Sequence, residues 1–439
     1  MIKAGVGMSI KDNAYEAGRD VAKKALNDIN GKPKLAILAV DSLSRVKHNY
    51  NDVLKGVREV LGNKIKLIGS TVNGIIVNDR FALRSVGLML LGGNFSLNTS
   101  FNYGNSRIEY EKIADKIYNR VRSFQKNDNN FLLLFQDGLK FPPEVLEKQE
   151  TLNSRVVSMF SGLVKIFFKR QLEELKETGM GMPSTQDLLE KLYSKGWKNQ
   201  IIGNVASNMR DYDSVQFYDD KVIDDSVIGV SLSPQNSNKF GFGFSAGAES
   251  TGRKCEITKN IGNFLLRVDD EKALIGFCEA AGIQLESLRE LKYSEYVNFH
   301  NIIGTKQRIN GEEFIHLSVT QTNPNYKSLI LTTFPFNKVP EEIEIFRSNM
   351  DILIETAKES VSQALEGISD PSFLLGFDCG IRFVAYGNNL PLVVEEINDT
   401  IGKDIPKMIV GSGGEIFGTK KIDYYQNSLT FVSLAGGKK

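Results

Sequence analysis

Asp378, Cys379 and Arg382 interrupt an apolar run, FLLGFDCGIRFV at 373–384, and have the plainest chemical capacity in this 439-residue chain. An isolated buried charge is costly, so Arg382 needs a partner. Either an internal carboxylate, Asp378 or Glu415, neutralises it, or it holds the carboxylate or phosphate of a ligand in a bidentate pair. Cys379 is either a small core residue or a reactive thiol, which would make a thiol-dependent enzyme the rival to a binding protein. His48, His300 and His316 are the only histidines, so bases for Ser-His or Cys-His catalysis are scarce. No pair of them has metal-ligand spacing. A lone histidine holding haem in a gas sensor is a further reading, but no cofactor is expected. The three isolated cysteines, Cys255, Cys278 and Cys379, make neither a disulfide framework nor a CxxC metal site.

A second group of candidates comes from repetition. IKLIGSTVNGII at 65–76 is written again as NQIIGNVASN at 199–208 and KMIVGSGGEIFG at 407–418. Each copy is a short apolar run that ends in glycine and turns through small or amide residues. In open α/β sheets ligands bind beyond the carboxyl ends of strands. That rule selects Ser70, Thr71 and Asn73, then Asn204 and Ser207, then Ser412, Gly413 and Glu415 as one ligand-binding set. The bland alternative is that these residues only make turns. Nucleotide motifs are near misses. Gly413-x4-Gly418 is followed by Thr419-Lys420, the reverse of the P-loop order, and Gly241-x-Gly243-x-x-Ala246 opens no convincing helix.

The elements that must position these residues follow from hydrophobic period. LAILAV at 35–40 and FLLLF at 131–135 read as strands covered on both faces. Helical stripes precede and follow the first of them, at 12–29 (capped by Asp12) and 50–61. Further strands are expected at 2–9, 84–91, 201–206 and 226–233. Residues 94–104 read as a polar loop, and Ser106 with Glu109 as a capping box for a helix to 124. A Gly, Ser and Asn-rich stretch at 234–253 suggests a boundary, giving domains at 1–235 and 250–436. Beyond it 254–268 and 313–334 alternate like half-exposed strands. A helix capped by Ser348 covers 348–365, then strands at 373–377 and 381–386 and a helix at 391–401 follow. A helical insertion at about 142–197 interrupts the first domain; it covers the sheet, or serves as a lid or homodimer contact. The fold class is α/β: duplicated β-α-β-β units form mixed sheets stacked face to face with helices outside, in αββα-like layers.

Lys and Arg number 54 against 53 Asp and Glu, so no overall field attracts nucleic acid or anionic membrane. No apolar span reaches membrane length, and the chain reads as cytoplasmic and reduced.

Taken in order, GVGMS, LAILAVD, LIGSTVNGII, IIGNVASN and SVIGVSLS resemble the FIST N pattern. KCEITKNIGNFLLRVDDEKAL, FLLGFDCGIRF, VGSGGEIFG and YQNSLTFVSL resemble FIST C. Gly203-Asn204 departs from the Gly-Gly often found in the family, and 142–197 is longer than usual. The resemblance implies a sensory module of signal transduction that binds small molecules such as amino acids; some relatives bind haem. No output segment is expected at either end, so a separate signalling protein would carry the message. The expectation is a small polar ligand held between the halves, with Arg382 on its anionic group and Ser70, Asn73, Asn204 and Glu415 hydrogen-bonding the rest.

Overall fold

Apolar runs with no polar side, such as 35–40 and 131–135, must be covered on both faces, and the chain covers them three times in the same way. A computed structural model describes residues 1–42, 49–123, 130–138, 140, 179, 183–207, 214–261, 264–284, 301–309, 312–318, 320–323, 328–331, 339–418, 426–427 and 430–438. The first unit runs β1 (Ile2–Ser9), α1 (Ala14–Asp28), β2 (Pro33–Asp41), α2 (Tyr50–Leu61), β3 (Lys66–Val72), β4 (Ile75–Val77), β5 (Arg80–Ala82) and β6 (Val86–Gly93). The second runs β7 (Phe95–Tyr103), α3 (Tyr110–Val121), β8 (Phe131–Gln136), α4 (Thr185–Ser194), β9 (Gln200–Val205), β10 (Gln216–Tyr218), β11 (Lys221–Ile223) and β12 (Ser226–Pro234).

The third unit opens with β13 (Asn238–Ala246) and then takes an insertion. The insertion holds β14 (Glu249–Glu256), β15 (Lys259–Ile261), β16 (Phe264–Val268), β17 (Glu271–Lys272), α5 (Ala273–Ala281), β18 (Asn301–Ile309), β19 (Glu312–Ser318), β20 (Thr320–Asn323), β21 (Ser328–Leu331) and β22 (Glu342–Arg347). The unit resumes with α6 (Met350–Leu365), β23 (Asp370–Cys379), α7 (Gly380–Tyr386), α8 (Leu390–Ile401), β24 (Lys407–Ser412), β25 (Glu415–Gly418), β26 (Gln426–Asn427) and β27 (Thr430–Lys438).

Each unit builds the same six-stranded sheet. The orders are β1-β6-β2-β3-β10-β11, β7-β12-β8-β9-β25-β26 and β13-β27-β23-β24-β4-β5. In each, the central pair is parallel (β2 with β3, β8 with β9, β23 with β24), which demands a long crossover between its two strands. The last two strands are borrowed. The hairpin after β3 pairs with β24, the one after β9 with β3, and the one after β24 with β9. The exchange is cyclic, so the three units close on one another.

Inner faces of all three sheets make one core: Ile37, Ala39 and Ile68, then Leu133, Phe135 and Ile202, then Leu375, Phe377 and Val410. Helices cover the outer faces, α1 and α2 on the first sheet, α3 and α4 on the second, and α6, α7 and α8 on the third. The insertion buries a separate core around Leu265, Phe277 and Ile345. The α/β class with repeated units, mixed sheets and outer helices is therefore as read from the sequence, in three copies.

Several local expectations change. Residues 94–104 hold strand β7, an edge strand paired along its whole length with β12. Within the Gly, Ser and Asn-rich stretch at 234–253, β12 ends the second unit at Pro234 and β13, paired with the C-terminal strand β27, opens the third at Asn238. Asn13 and Asn349, not Asp12 and Ser348, cap their helices by accepting from Glu16 N and Ile352 N. Ser106 does not cap α3; its hydroxyl donates to Asp137 at 2.6 Å. Residues 381–386 lie in helix α7, not a strand. Of the expected helical insertion, 141–178 and 180–182 lie outside the described residues, and α4 is its described helix.

Two equivalent glycines show why the tip motif repeats. A Cβ at Gly69 would lie 1.8 Å from the Leu38 carbonyl oxygen, and one at Gly203 1.8 Å from that of Leu134. Gly203→Ala must push β8 and β9 apart and is expected to cost about 2 kcal/mol or more, read as a lower urea midpoint. Gly31→Ala, whose Cβ would meet only the Lys3 side chain, is the control expected to change little. An unchanged midpoint for Gly203→Ala would show that the close approach is not the constraint.

Candidate functional site

The parallel pairs of the three sheets point their carboxyl ends at one another, and six backbone hydrogen bonds join them. The N–H of Asn73 donates to Gly411 O at 2.7 Å, that of Ser207 to Thr71 O at 2.9 Å, and that of Gly413 to Val205 O at 3.0 Å. Behind them Thr71 N–H donates to Val215 O (2.9 Å), Val205 N–H to Gly414 O (2.9 Å) and Gly411 N–H to Gly74 O (3.0 Å). Asn73, Ser207 and Gly413 are thus equivalent, as are Thr71, Val205 and Gly411. Aligning the three motifs by their glycines sets the third copy two residues out of register. Asn73 also accepts from Ser42 Oγ at 3.0 Å and donates through Nδ2 to Ser207 Oγ.

One layer of side chains lies beneath this ring. Strand alternation turns Ser70, Asn204 and Val410 to the core side, next to Ile68, Ile202 and Met408. Ser70 is paired with Gln216 on one side and Ala39 on the other, Asn204 with Glu415 and Phe135, Val410 with Ile75 and Phe377. Directly opposed residues share a face with Cβ atoms about 5 Å apart. Two sheets therefore contribute a polar pair and the third an apolar one. Asn204 Nδ2 donates to Ser70 Oγ at 2.7 Å, which joins the two polar pairs. Thr430 Oγ1 donates to Glu415 Oε2 at 2.6 Å, and Ser226 Oγ to Gln216 Oε1. Ser70, Asn204, Gln216 and Glu415 are each at most 1% exposed. Burial pushes the Glu415 carboxyl well above the usual glutamate range, with the Thr430 bond offsetting part of the shift.

Arg382 is elsewhere. Asp378 alternates away from the core side, next to Leu374, whose packing is against the helices. There Arg382 Nε meets Asp378 Oδ1 at 2.7 Å and donates to Tyr386 Oη at 2.9 Å. Its Nη2 donates to Leu353 O at 2.9 Å and its Nη1 to Thr356 Oγ1 at 3.2 Å, both on α6. Tyr386 Oη donates to Asp378 Oδ2 at 2.8 Å. Asp378 is pushed up to about 6 by burial, against the pull of Arg382 and the Tyr386 hydroxyl. The ligand-anion role read for Arg382 gives way to the internal carboxylate, because the guanidinium is fully buried on the helix side of the sheet.

Of the other residues selected from sequence, Ser70, Asn204 and Glu415 belong to the layer and Asn73, Ser207 and Gly413 to the ring. Thr71 turns to the outer face and accepts at Oγ1 from Val215 N at 3.1 Å. Ser412 closes its own turn, donating to Gly414 O at 2.7 Å. Cys379 is buried at the end of β23, on the core side next to Phe377. Gln216 was not selected, since nothing in QFY marks it; its hairpin enters the first sheet from the second unit.

Among the described residues no three His, Cys, Asp or Glu side chains gather as metal ligands. His48 and His300 lie outside the described residues; His316 is on β19, its side chain outside them. Among the described residues no helix is long and apolar enough to cross a membrane.

Comparisons with known proteins add one assignment. No curated protein matches the chain. A cyanuric acid hydrolase from A. caulinodans is 7% identical, covering 54% of this chain and 72% of its own at a TM-score of 0.27. A chorismatase is 6% identical over 99% of both chains, with a TM-score of 0.32. Likeness this loose bears on neither fold nor activity. The FIST N domain model matches residues 42–271, more than half of the chain, and the chain belongs to the FIST family.

Proposed function

We propose that the chain is a sensory protein of signal transduction that reversibly binds a small polar ligand at the inner layer beneath the tip ring. FIST membership supports a sensory, small-ligand-binding role. The observation that carries the reading is the layer itself. Four buried polar side chains converge near the carboxyl ends of parallel strands, opposite an apolar wall of Val410, Ile75 and Phe377 and beside Phe135. Few polar groups on an apolar lining is the usual composition of a small-molecule site. Ser70, Asn204 and Gln216 come from the first half of the sequence and Glu415 from the second, so the ligand would sit between halves. A separate protein would receive the signal.

Calorimetry of the full chain against amino acids, amino alcohols and organic acids tests the reading. Saturable binding that Asn204→Leu abolishes, with the thermal melt retained, is expected; no binding from any member would overturn it. The rival, a thiol-dependent enzyme using Cys379, requires a reactive thiolate. Iodoacetamide labelling of Cys379 that rises well below pH 8.5 would favour that rival. A Soret band in the purified protein would favour haem sensing instead.

A further inference from the structure

Three polar atoms of the inner layer have no hydrogen-bond partner among the described residues: Asn204 Oδ1, Gln216 Nε2 and Glu415 Oε1. The other polar atom of each is engaged. Asn204 Nδ2 is given to Ser70, Gln216 Oε1 receives from Ser226, and Glu415 Oε2 receives from Thr430. Gln216 is paired with Ser70, Asn204 bonds Ser70, and Glu415 is paired with Asn204, so all three unpartnered atoms belong to one contiguous row. The first sheet has only Ala39 and Gly87 where the second has Phe135 and Ile228 and the third Phe377 and Val432. Ile75 fills the space over Gly87. A buried polar atom without a partner costs free energy, and native interiors rarely keep three side by side.

We propose that this row recognises a small primary amine that also carries an oxygen acceptor, the amine donating to Asn204 Oδ1 and Glu415 Oε1 and the oxygen accepting from Gln216 Nε2. The inference rests on the small-ligand reading above and narrows its chemistry from an anion to an amine. Arg382, the residue that would have received an anion, is committed to Asp378 across the sheet. The charged groups bearing on Glu415 are these two, of opposite sign and paired with each other. A buried carboxyl with no cation of its own keeps its proton. An arriving ammonium takes the place of that proton: Glu415 loses it to solvent, the carboxylate forms, and the ion pair is neutral overall.

The test is calorimetry of the full chain with ethanolamine, glycinamide, ethylene glycol and glycolate at pH 6, in phosphate and in a buffer of high ionisation enthalpy. At least one amine is expected to bind with release of about one proton, while the two amine-free probes do not bind. Glu415→Gln, isosteric with the native side chain, should weaken the amine by about tenfold or more and abolish the proton release. Gln216→Leu should weaken it with the proton release intact, and serves as the second variant should Glu415→Gln fail to fold. Binding of glycolate or ethylene glycol in preference to the amines would overturn this inference and leave the small-ligand reading standing. Amine binding unchanged in both variants would also overturn it. No binding by any probe, nor by the wider panel above, would overturn both.

Discussion

Arg382→Met is expected to cost about 3–5 kcal/mol of folding stability, because it strands the Asp378 carboxylate in a dry interior. The guanidinium is fully buried and spends its donors on Asp378, Tyr386, Leu353 O and Thr356, so no solvent replaces them. Removing both charges with Arg382→Met and Asp378→Leu should recover most of the loss, since the double variant leaves no unpaired ion. The single variant's penalty should shrink as pH falls from 8 to 5. Burial already holds Asp378 up to about 6, and losing the cation raises it further, so acid lets the stranded group take a proton. A folded-state value above the unfolded one means a contribution present at low pH and lost as pH rises. Urea titrations at the two pH values check both statements. Unchanged stability with lost ligand affinity would return Arg382 to the role of anion holder.

Glu415→Gln should change the pH dependence of stability rather than lower stability at every pH. The folded carboxyl titrates well above its ordinary range because it is buried. Its contribution is therefore complete below about pH 4.3, the unfolded value, and declines as pH rises through the folded one. Within that window wild type loses up to about 1.4 kcal/mol per pH unit relative to the glutamine variant. Glutamine keeps the shape and can still accept from Thr430. The variant should be close to wild type at pH 4.5 and more stable at pH 7, measured by denaturant unfolding of the unliganded chain. Parallel profiles across that range would show that Glu415 ionises as freely when folded as when unfolded.

Local pattern determined a good deal by itself. The runs at 35–40 and 131–135 could only be doubly covered strands, the stripes at 12–29 and 50–61 only helices, and glycine at the strand tips marked where three similar loops turn. Those features depend on neighbours within a few residues, so the order of residues suffices to state them. Ser70, Asn204 and Glu415 were legible for that reason.

What only the tertiary structure decided involves partners in other elements, many of them more than a hundred residues away. Residues 381–386 are apolar enough for a strand, but pairing of Arg382 with Asp378 four residues earlier and with α6 holds them as a helix. The third tip matches the others by hydrogen bonding two residues away from where its glycine aligns, because register is set by the borrowed hairpin and not by the motif. Gln216 enters the layer through a hairpin that its own unit gives away. A cyclic exchange of hairpins leaves no local trace, since each strand reads the same whichever sheet it joins, and only closure of all three sheets on one core fixes the choice.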